Sequence, residues 1–185
     1  MNIFKKSLQE TYKNNGFVLL KNYLTKCEAN NVVNYINQIQ HWKEESGKWM
    51  LYYEINKDNK KIKSRIENYI EYHQFFKSFT HNKINPIVNF INDNNMVLFK
   101  DKINFKEAGG KGFKAHQDFP AWSDFPPTYY STATLFANNS NSENGCLEFS
   151  PYKYNNGLLP YDISKGGHID EDISYNLEWQ FVETT

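Results

Sequence analysis

Two triplets in this chain set a histidine two residues ahead of an aspartate: His116-Gln117-Asp118 and His168-Ile169-Asp170. Side chains alternate along an extended backbone, so the imidazole and carboxylate of such a triplet point to one side. A pair of that kind can occupy one edge of a metal's coordination sphere. A second histidine from elsewhere would complete the two-histidine, one-carboxylate face that holds non-haem iron(II) and leaves three positions open for cosubstrate and oxygen. The spacing alone is a weak signal, since the chain contains it twice. Context separates the copies. Only the first follows a strand-like run and a glycine-rich turn, Gly109-Gly110-Lys111-Gly112, and leads into the aromatic, proline-bearing Phe119-Pro120-Ala121-Trp122.

Arg65 is the only arginine in a chain that otherwise draws its cations from lysine. Its planar fork fits an anionic group of a substrate, although a surface or structural ion pair is the more ordinary reason for a lone arginine. Lys100, Lys102, Asn104 and Lys106 alternate with Ile103 and Phe105 and so share one strand face. A row of cations and an amide just ahead of a metal motif suits a dicarboxylate cosubstrate; an ordinary solvated face has the same pattern. Trp49, Tyr52, Tyr53 and Trp122 offer aromatic faces that can line a core or receive an alkylammonium group.

The elements that must position these groups can be read in order. A short helix over Phe4 to Lys13 ends at Asn14-Asn15-Gly16, and Phe17-Val18-Leu19-Leu20 reads as a buried strand. Thr25-Lys26-Cys27-Glu28 has capping-box spacing and opens a helix whose Val32, Val33, Ile36 and Ile39 return to one face, with Trp42 closing it. Trp49 to Glu54 reads as a strand, and the lysine-rich 57–63 stretch as a solvated turn. Two short helices follow, about Tyr72 to Phe79 and Pro86 to Asp93, the second with proline at its start. Strand texture begins at Met96 and covers Val97 to Lys106, and Tyr130 to Ala137 reads as another strand, where Thr132 and Thr134 share a side. Asn144-Gly145 turns the chain into Cys146 to Pro151, and Leu177 to Val182 reads as a last strand.

Composition sets the bounds. With 185 residues and no internal repeats, one domain is expected, its core rich in rings because 17% of the residues are aromatic. A net charge of +0 argues against nucleic acid as a partner. The start, Met1-Asn2-Ile3-Phe4-Lys5-Lys6, lacks an apolar signal core and no run approaches a membrane span, so the expected location is the cytoplasm, with no membrane partner. Cys27 and Cys146 are too few for a disulfide scaffold or a thiolate site. Helices first and short strands afterwards describe an α+β or mainly β barrel with N-terminal helical cladding.

Three ordered motifs then resemble the phytanoyl-CoA dioxygenase family: His116-Gln117-Asp118, Glu143-Asn144-Gly145-Cys146-Leu147-Glu148-Phe149-Ser150-Pro151, and Gly157-Leu158-Leu159-Pro160. The likeness extends back through Phe99 to Phe105 and Gly16 to Leu19, so it covers most of the chain. It implies a double-stranded β-helix (jelly-roll) enzyme that uses Fe(II), 2-oxoglutarate and O2. By the resemblance, His116 and Asp118 are iron ligands, Asn104 and Thr134 contact 2-oxoglutarate with Lys102 beside them, and Trp122 stands on the rim. Arg65, Lys100 and Tyr52 are further substrate candidates. A neutral imidazole and a hard carboxylate oxygen suit iron(II). Because Asp118 fills the position a halide would need, hydroxylation is implied rather than halogenation.

The resemblance also implies a second histidine ligand and an arginine for the distal carboxylate of 2-oxoglutarate. The family enters that segment where this chain stops, at Glu178-Trp179-Gln180-Phe181-Val182-Glu183-Thr184-Thr185. His168 lies far enough along to be considered as the third ligand, but its segment resembles a variable loop. The expectation is therefore a single, incomplete oxygenase domain over 1–185, helical over residues 1–95 and β-helical over residues 96–185. It reads as the N-terminal part of a longer oxygenase, shortened by a stop codon, by a split gene or by incomplete sequence, unless a second chain donates the closing strands and missing ligands. The small-molecule substrate resembles that of the branch acting on aminoalkylphosphonates. A metal-independent binding module and a non-catalytic remnant of the same fold are the alternatives.

Overall fold

The computed structural model describes residues 2–152 and 156–184. In chain order its elements are helix α1 (Asn2–Asn15), helix α2 (Lys26–Gln40), strands β1 (Met50–Ile55) and β2 (Lys61–Glu67), and helices α3 (Gln74–Phe79) and α4 (Asn85–Asn92). Strands β3 (Lys102–Asn104), β4 (Leu147–Phe149), β5 (Tyr161–Asp162) and β6 (His168–Ile169) follow, then helix α5 (Glu171–Tyr175) and strand β7 (Gln180–Val182). They fall into two compact units, Asn22–Gly112 and a second made of Met1–Lys21 with Phe113–Thr185. The division lies beyond residue 95 because the strands around it pair with the earlier hairpin, and α1 joins the later half.

In the Asn22–Gly112 unit, α2 begins as its sequence dictates. Thr25 Oγ1 accepts the Glu28 N–H at 3.2 Å while Glu28 Oε2 accepts the Thr25 N–H at 2.7 Å, a reciprocal capping box. Val32 and Ile39 on its inner face are buried at 2% and 0% exposure. The far end is held by Lys63, whose Nζ donates to the carbonyls of Gln40 (2.6 Å) and Trp42 (2.8 Å). Strands β1, β2 and β3 form an antiparallel sheet with β2 central, and Ile66 pairs with both Leu51 and Ile103. That row faces the helices. Ile66, Ile103, Phe105, Tyr69, Ile70, Phe76 and Phe79 form one cluster with Val32 and Ile39. Asp101 ties the corner after β2 by accepting the Tyr69 N–H at 2.9 Å; burial pushes its carboxyl pKa up, and backbone N–H groups of Tyr69, Ile70 and Asn68 oppose the rise.

The other unit is held differently. Gly16 ends α1 at φ +77°, and a side chain there would run into the carbonyl oxygen of Tyr152, whose N–H donates to Asn15 O at 2.9 Å. Phe17 stacks on Phe149 with ring centroids 4.8 Å apart. Its sheets are two-stranded, β4 with β7 and β5 with β6, and Ser140 and Thr184 exchange two backbone bonds at 2.9 Å. Phe17–Leu20 and Tyr130–Ala137, expected as strands, join no ladder among the described residues. A strand is stable only when its N–H and C=O groups find neighbours, which propensity alone does not supply. The fold is α+β with small antiparallel sheets, and among the described residues no sheet closes into a barrel.

Candidate metal centre

His116 and Asp118 sit where the chain leaves a β-bridge and enters a 3-10 turn, Phe119–Trp122. His116 Nδ1 lies 2.7 Å from the carbonyl oxygen of Lys114. A carbonyl only accepts, so Nδ1 carries the proton and the neutral ring keeps its lone pair on Nε2. That Nε2 is 3.5 Å from Asp118 Oδ1. The other carboxylate oxygen, Oδ2, accepts a hydrogen bond from Thr132 Oγ1 at 2.6 Å. Each donor is thus oriented from behind by a partner on the atom that does not face the other, as the outer shell of a metal site is built.

Two donors at 2.0–2.1 Å on adjacent positions of an octahedral ion stand about 3 Å apart. The 3.5 Å gap is close to that bite, and the donor set, neutral imidazole with a carboxylate, fits iron(II). The two side chains are 38% and 47% exposed, so solvent or a ligand reaches them. Among the described residues no third histidine, cysteine, aspartate or glutamate converges with them into a metal-binding group.

The surrounding segment is pinned from several sides. Gln117 Oε1 accepts the Leu159 N–H at 2.8 Å, which fastens Gly157-Leu158-Leu159-Pro160 to the histidine strand. Ile169 N–H donates to Ala115 O at 2.9 Å, and His168 is the antiparallel bridge partner of His116. Lys114 Nζ pairs with Glu171 at 2.8 Å and holds the Glu171 carboxyl below the usual range. Pro120 is buried, with Gly167 closely packed against it. Trp122 is half-buried with its ring 5.9 Å from that of Phe125, and Thr134 is exposed.

The remaining candidates gather in the Asn22–Gly112 unit. Tyr52 pairs with Arg65 and Arg65 with Asn104, while Glu67 pairs with Lys102, so these side chains share the sheet face turned away from Ile66 and Ile103. The Arg65 guanidinium lies 4.3 Å from the centroid of the Tyr52 ring, and its Nε is 3.1 Å from Glu67 Oε1, a coulombic contact without hydrogen-bond alignment. Lys100 Nζ approaches the same oxygen at 2.9 Å, and the Tyr52 hydroxyl donates to Glu67 Oε2 at 3.3 Å. Arg65 and Lys100 are therefore engaged with a carboxylate that is only 4% exposed. Lys102 stands on the same face, opposite Glu67 in the ladder.

Sequence reasoning missed Thr132, Gln117, Glu67 and the pairing of His168 with His116. Thr132 could have been found, because it shares a side with Thr134 and its hydroxyl suits a carboxylate. Gln117 points away from the ligand face, and only the fold reveals its partner.

The family described as Phytanoyl-CoA dioxygenase (PhyH) matches residues 12–161. The chain belongs to the phytanoyl-CoA dioxygenase family. The enzyme class read from the sequence, a dioxygenase, is that of the family. This member is 34% identical over its whole length to a 2-aminoethylphosphonate dioxygenase of an uncultured bacterium, HF130_AEPn_1, covering 70% of that protein. It is 29% identical over 94% of its length to a methylphosphonate hydroxylase of Gimesia maris, covering 65% of that protein, and 30% identical over 86% to Dioxygenase lolE1 of Epichloe uncinata, covering 62%. The chain thus spans between three-fifths and seven-tenths of the relatives it matches. No solved structure matches it. No helix among the described residues is long and apolar enough to cross a membrane.

Proposed function

We propose that His116 Nε2 and Asp118 Oδ1 bind Fe(II) in a 2-oxoglutarate-dependent dioxygenase that hydroxylates a small phosphonate. The observation that carries this reading is the pair of backing contacts, Lys114 O on His116 Nδ1 and Thr132 Oγ1 on Asp118 Oδ2, which aim one donor of each residue at the other. When bound, iron with 2-oxoglutarate and O2 supplies the oxidising power to convert an unactivated C–H into C–OH, with succinate and CO2 as coproducts. The chain's own residues hold and orient. Lys114 O fixes the imidazole in its metal-binding tautomer, Thr132 steadies the carboxylate, and the 3-10 turn carries Trp122 as rim. In this reading Asn104, Lys102 and Thr134 contact 2-oxoglutarate, while Arg65, Lys100 and Tyr52 offer the substrate anion a cationic, aromatic surface.

The phosphonate class is supported by the names of two relatives and by the Arg65 and Lys100 cations that stand together on one sheet face. The double-stranded β-helix belongs to the same reading, supported by the antiparallel pairing of the His116 and His168 segments.

Anaerobic addition of Fe(II) and 2-oxoglutarate is expected to give a metal-to-ligand charge-transfer band that His116→Ala abolishes; a wild-type protein without the band removes the reading. In the Co(II)-loaded protein, 2-aminoethylphosphonate should show a broadened phosphorus resonance. A second reading, a metal-independent binding module, draws on the convergence of only two donors among the described residues. It requires phosphonate binding to persist undiminished in His116→Ala.

A further inference from the structure

Seven residues separate Pro160 from His168, and both ends of that excursion return to the metal segment. Two consecutive glycines, Gly166 at φ +74° and Gly167 at φ +79°, deliver the chain into β6. These are left-handed conformations that a side chain would strain. At Gly167 an added Cβ would meet Pro120 Cβ at 3.0 Å, so the backbone is packed directly onto the turn that follows Asp118. One residue beyond His168, the Ile169 N–H donates to Ala115 O and the Ile169 side chain is 7% exposed.

This bond runs one residue outside the His116–His168 bridge on each strand, which makes the bridge a non-hydrogen-bonded pair. Such pairs are the closer of the two antiparallel kinds, with Cα atoms about 4.5 Å apart and side chains on the same face. His168 therefore stands beside His116 on the ligand side. Yet it does not join His116 and Asp118 in a metal-binding group. An imidazole that shares the face without converging on the pair is set where a bound small molecule, rather than an ion, would bridge the two.

We propose that His168 is a substrate-contacting residue, its ring N–H donating a hydrogen bond to an oxyanion of the substrate bound beside the metal. The inference rests on the phosphonate reading above and deepens it by naming a residue for the phosphonate oxygens. An imidazole donor to a dianion makes a charge-assisted bond, and a phosphonate has three oxygens to share among several donors. The flanking cations are engaged elsewhere, Lys114 with Glu171 and Lys165 with Asp162, which makes His168 the group on this strand suited to the role.

The test uses Co(II) and 2-aminoethylphosphonate on the whole chain under nitrogen, with calorimetry for the metal and calorimetry plus phosphorus line broadening for the phosphonate. His168→Ala should bind Co(II) as the wild type does and 2-aminoethylphosphonate about tenfold more weakly, the scale of a lost hydrogen bond to a charged group. His168→Gln, which keeps an N–H at similar reach, should recover most of that loss. Unchanged phosphonate affinity in His168→Ala overturns the proposal. So does an equal loss in the glutamine variant, which points to ring packing, or a parallel loss of Co(II) affinity, which makes His168 a ligand. If the wild type binds Co(II) but no phosphonate, the substrate class itself is wrong, and if it binds no Co(II) the metal reading fails first. Gly167→Ala, which displaces β6 from Pro120, should weaken the phosphonate in the same direction while leaving Co(II) binding unaltered.

Discussion

Between Asn22 and Gly112 the sheet and helices enclose a continuous apolar cluster in which Ile39 and Ile66 are completely buried. In the unit that carries His116 and Asp118, the buried side chains among the described residues include Pro120, Ile169 and Val182, while Leu147, Phe149 and Phe181 remain 38%, 36% and 59% exposed. One unit is fixed by burial. The other is fixed by backbone bonds, glycine turns and ladders two or three residues long. The difference teaches where each region draws its stability, since apolar area removed from water dominates folding, whereas exposed hydrogen bonds contribute little net. A site whose donors are aimed by Lys114 O and Thr132 does not need a large core beneath it, but it gains from whatever binds there.

The sharpest way to break the comparison is to hollow out each side. Ile66→Ala should lower the unfolding free energy of its unit by about 2–5 kcal/mol, because the cavity is walled by Ile103, Phe105 and Val32 and has little room to collapse. Val182→Ala, at a strand flanked by exposed Phe181, should cost clearly less. Urea titrations of both variants decide the matter, and equal losses would show that the two units draw on one core.

A smaller effect is expected from the metal. A ligand that binds only the folded state stabilises it by about 2.7 kcal/mol at a hundred times its dissociation constant. Fe(II) or Co(II) should therefore slow amide hydrogen exchange over residues 114–118 and 130–134 and leave β1 and β2 as they were. Slowing spread evenly over both units would refute the separation; no slowing anywhere would remove the metal from His116.

How legible this was in the sequence follows the same divide. The capping box at Thr25, the buried face of α2, the strand around Tyr52 and the alternation of Ile103 and Phe105 were all readable, because local chemistry and burial agree there. Phe17–Leu20 and Tyr130–Ala137 have strand composition, but a ladder depends on a neighbour that no local pattern specifies. The His116–Asp118 pair was readable as a motif. Its backing groups were not, since a backbone carbonyl leaves no mark in a sequence and the Thr132–Asp118 bond spans fourteen positions. Arg65 stood out by being alone, yet Glu67, the carboxylate that engages it, lies two residues away on the same strand face and carries no signal of its own in the sequence.

The smallest effect lies at the helix cap that the sequence announced most clearly. The Thr25 backbone N–H, then the Lys83 ammonium and the Thr25 hydroxyl, hold the Glu28 carboxyl at about 2 rather than the ordinary 4.5. A carboxylate whose pKa is lower folded than unfolded stabilises the fold fully above its unfolded value and loses that contribution as pH falls from 4.5 toward 2. His73 starts in a different window: burial lowers its pKa, so its penalty begins to develop as pH drops below 6.5. Glu28→Gln should therefore leave the pH dependence of the urea midpoint unchanged between pH 7 and 5 and flatten it between pH 4.5 and 3. Because the Glu28–Lys83 pair lies at the protein surface, with the Glu28 side chain 29% exposed, the change should be modest and shrink with added salt. A variant as acid-sensitive as the wild type below pH 4.5 would mean that other carboxylates dominate there, with Glu171, held down by Lys114 in the other unit, the first to substitute next.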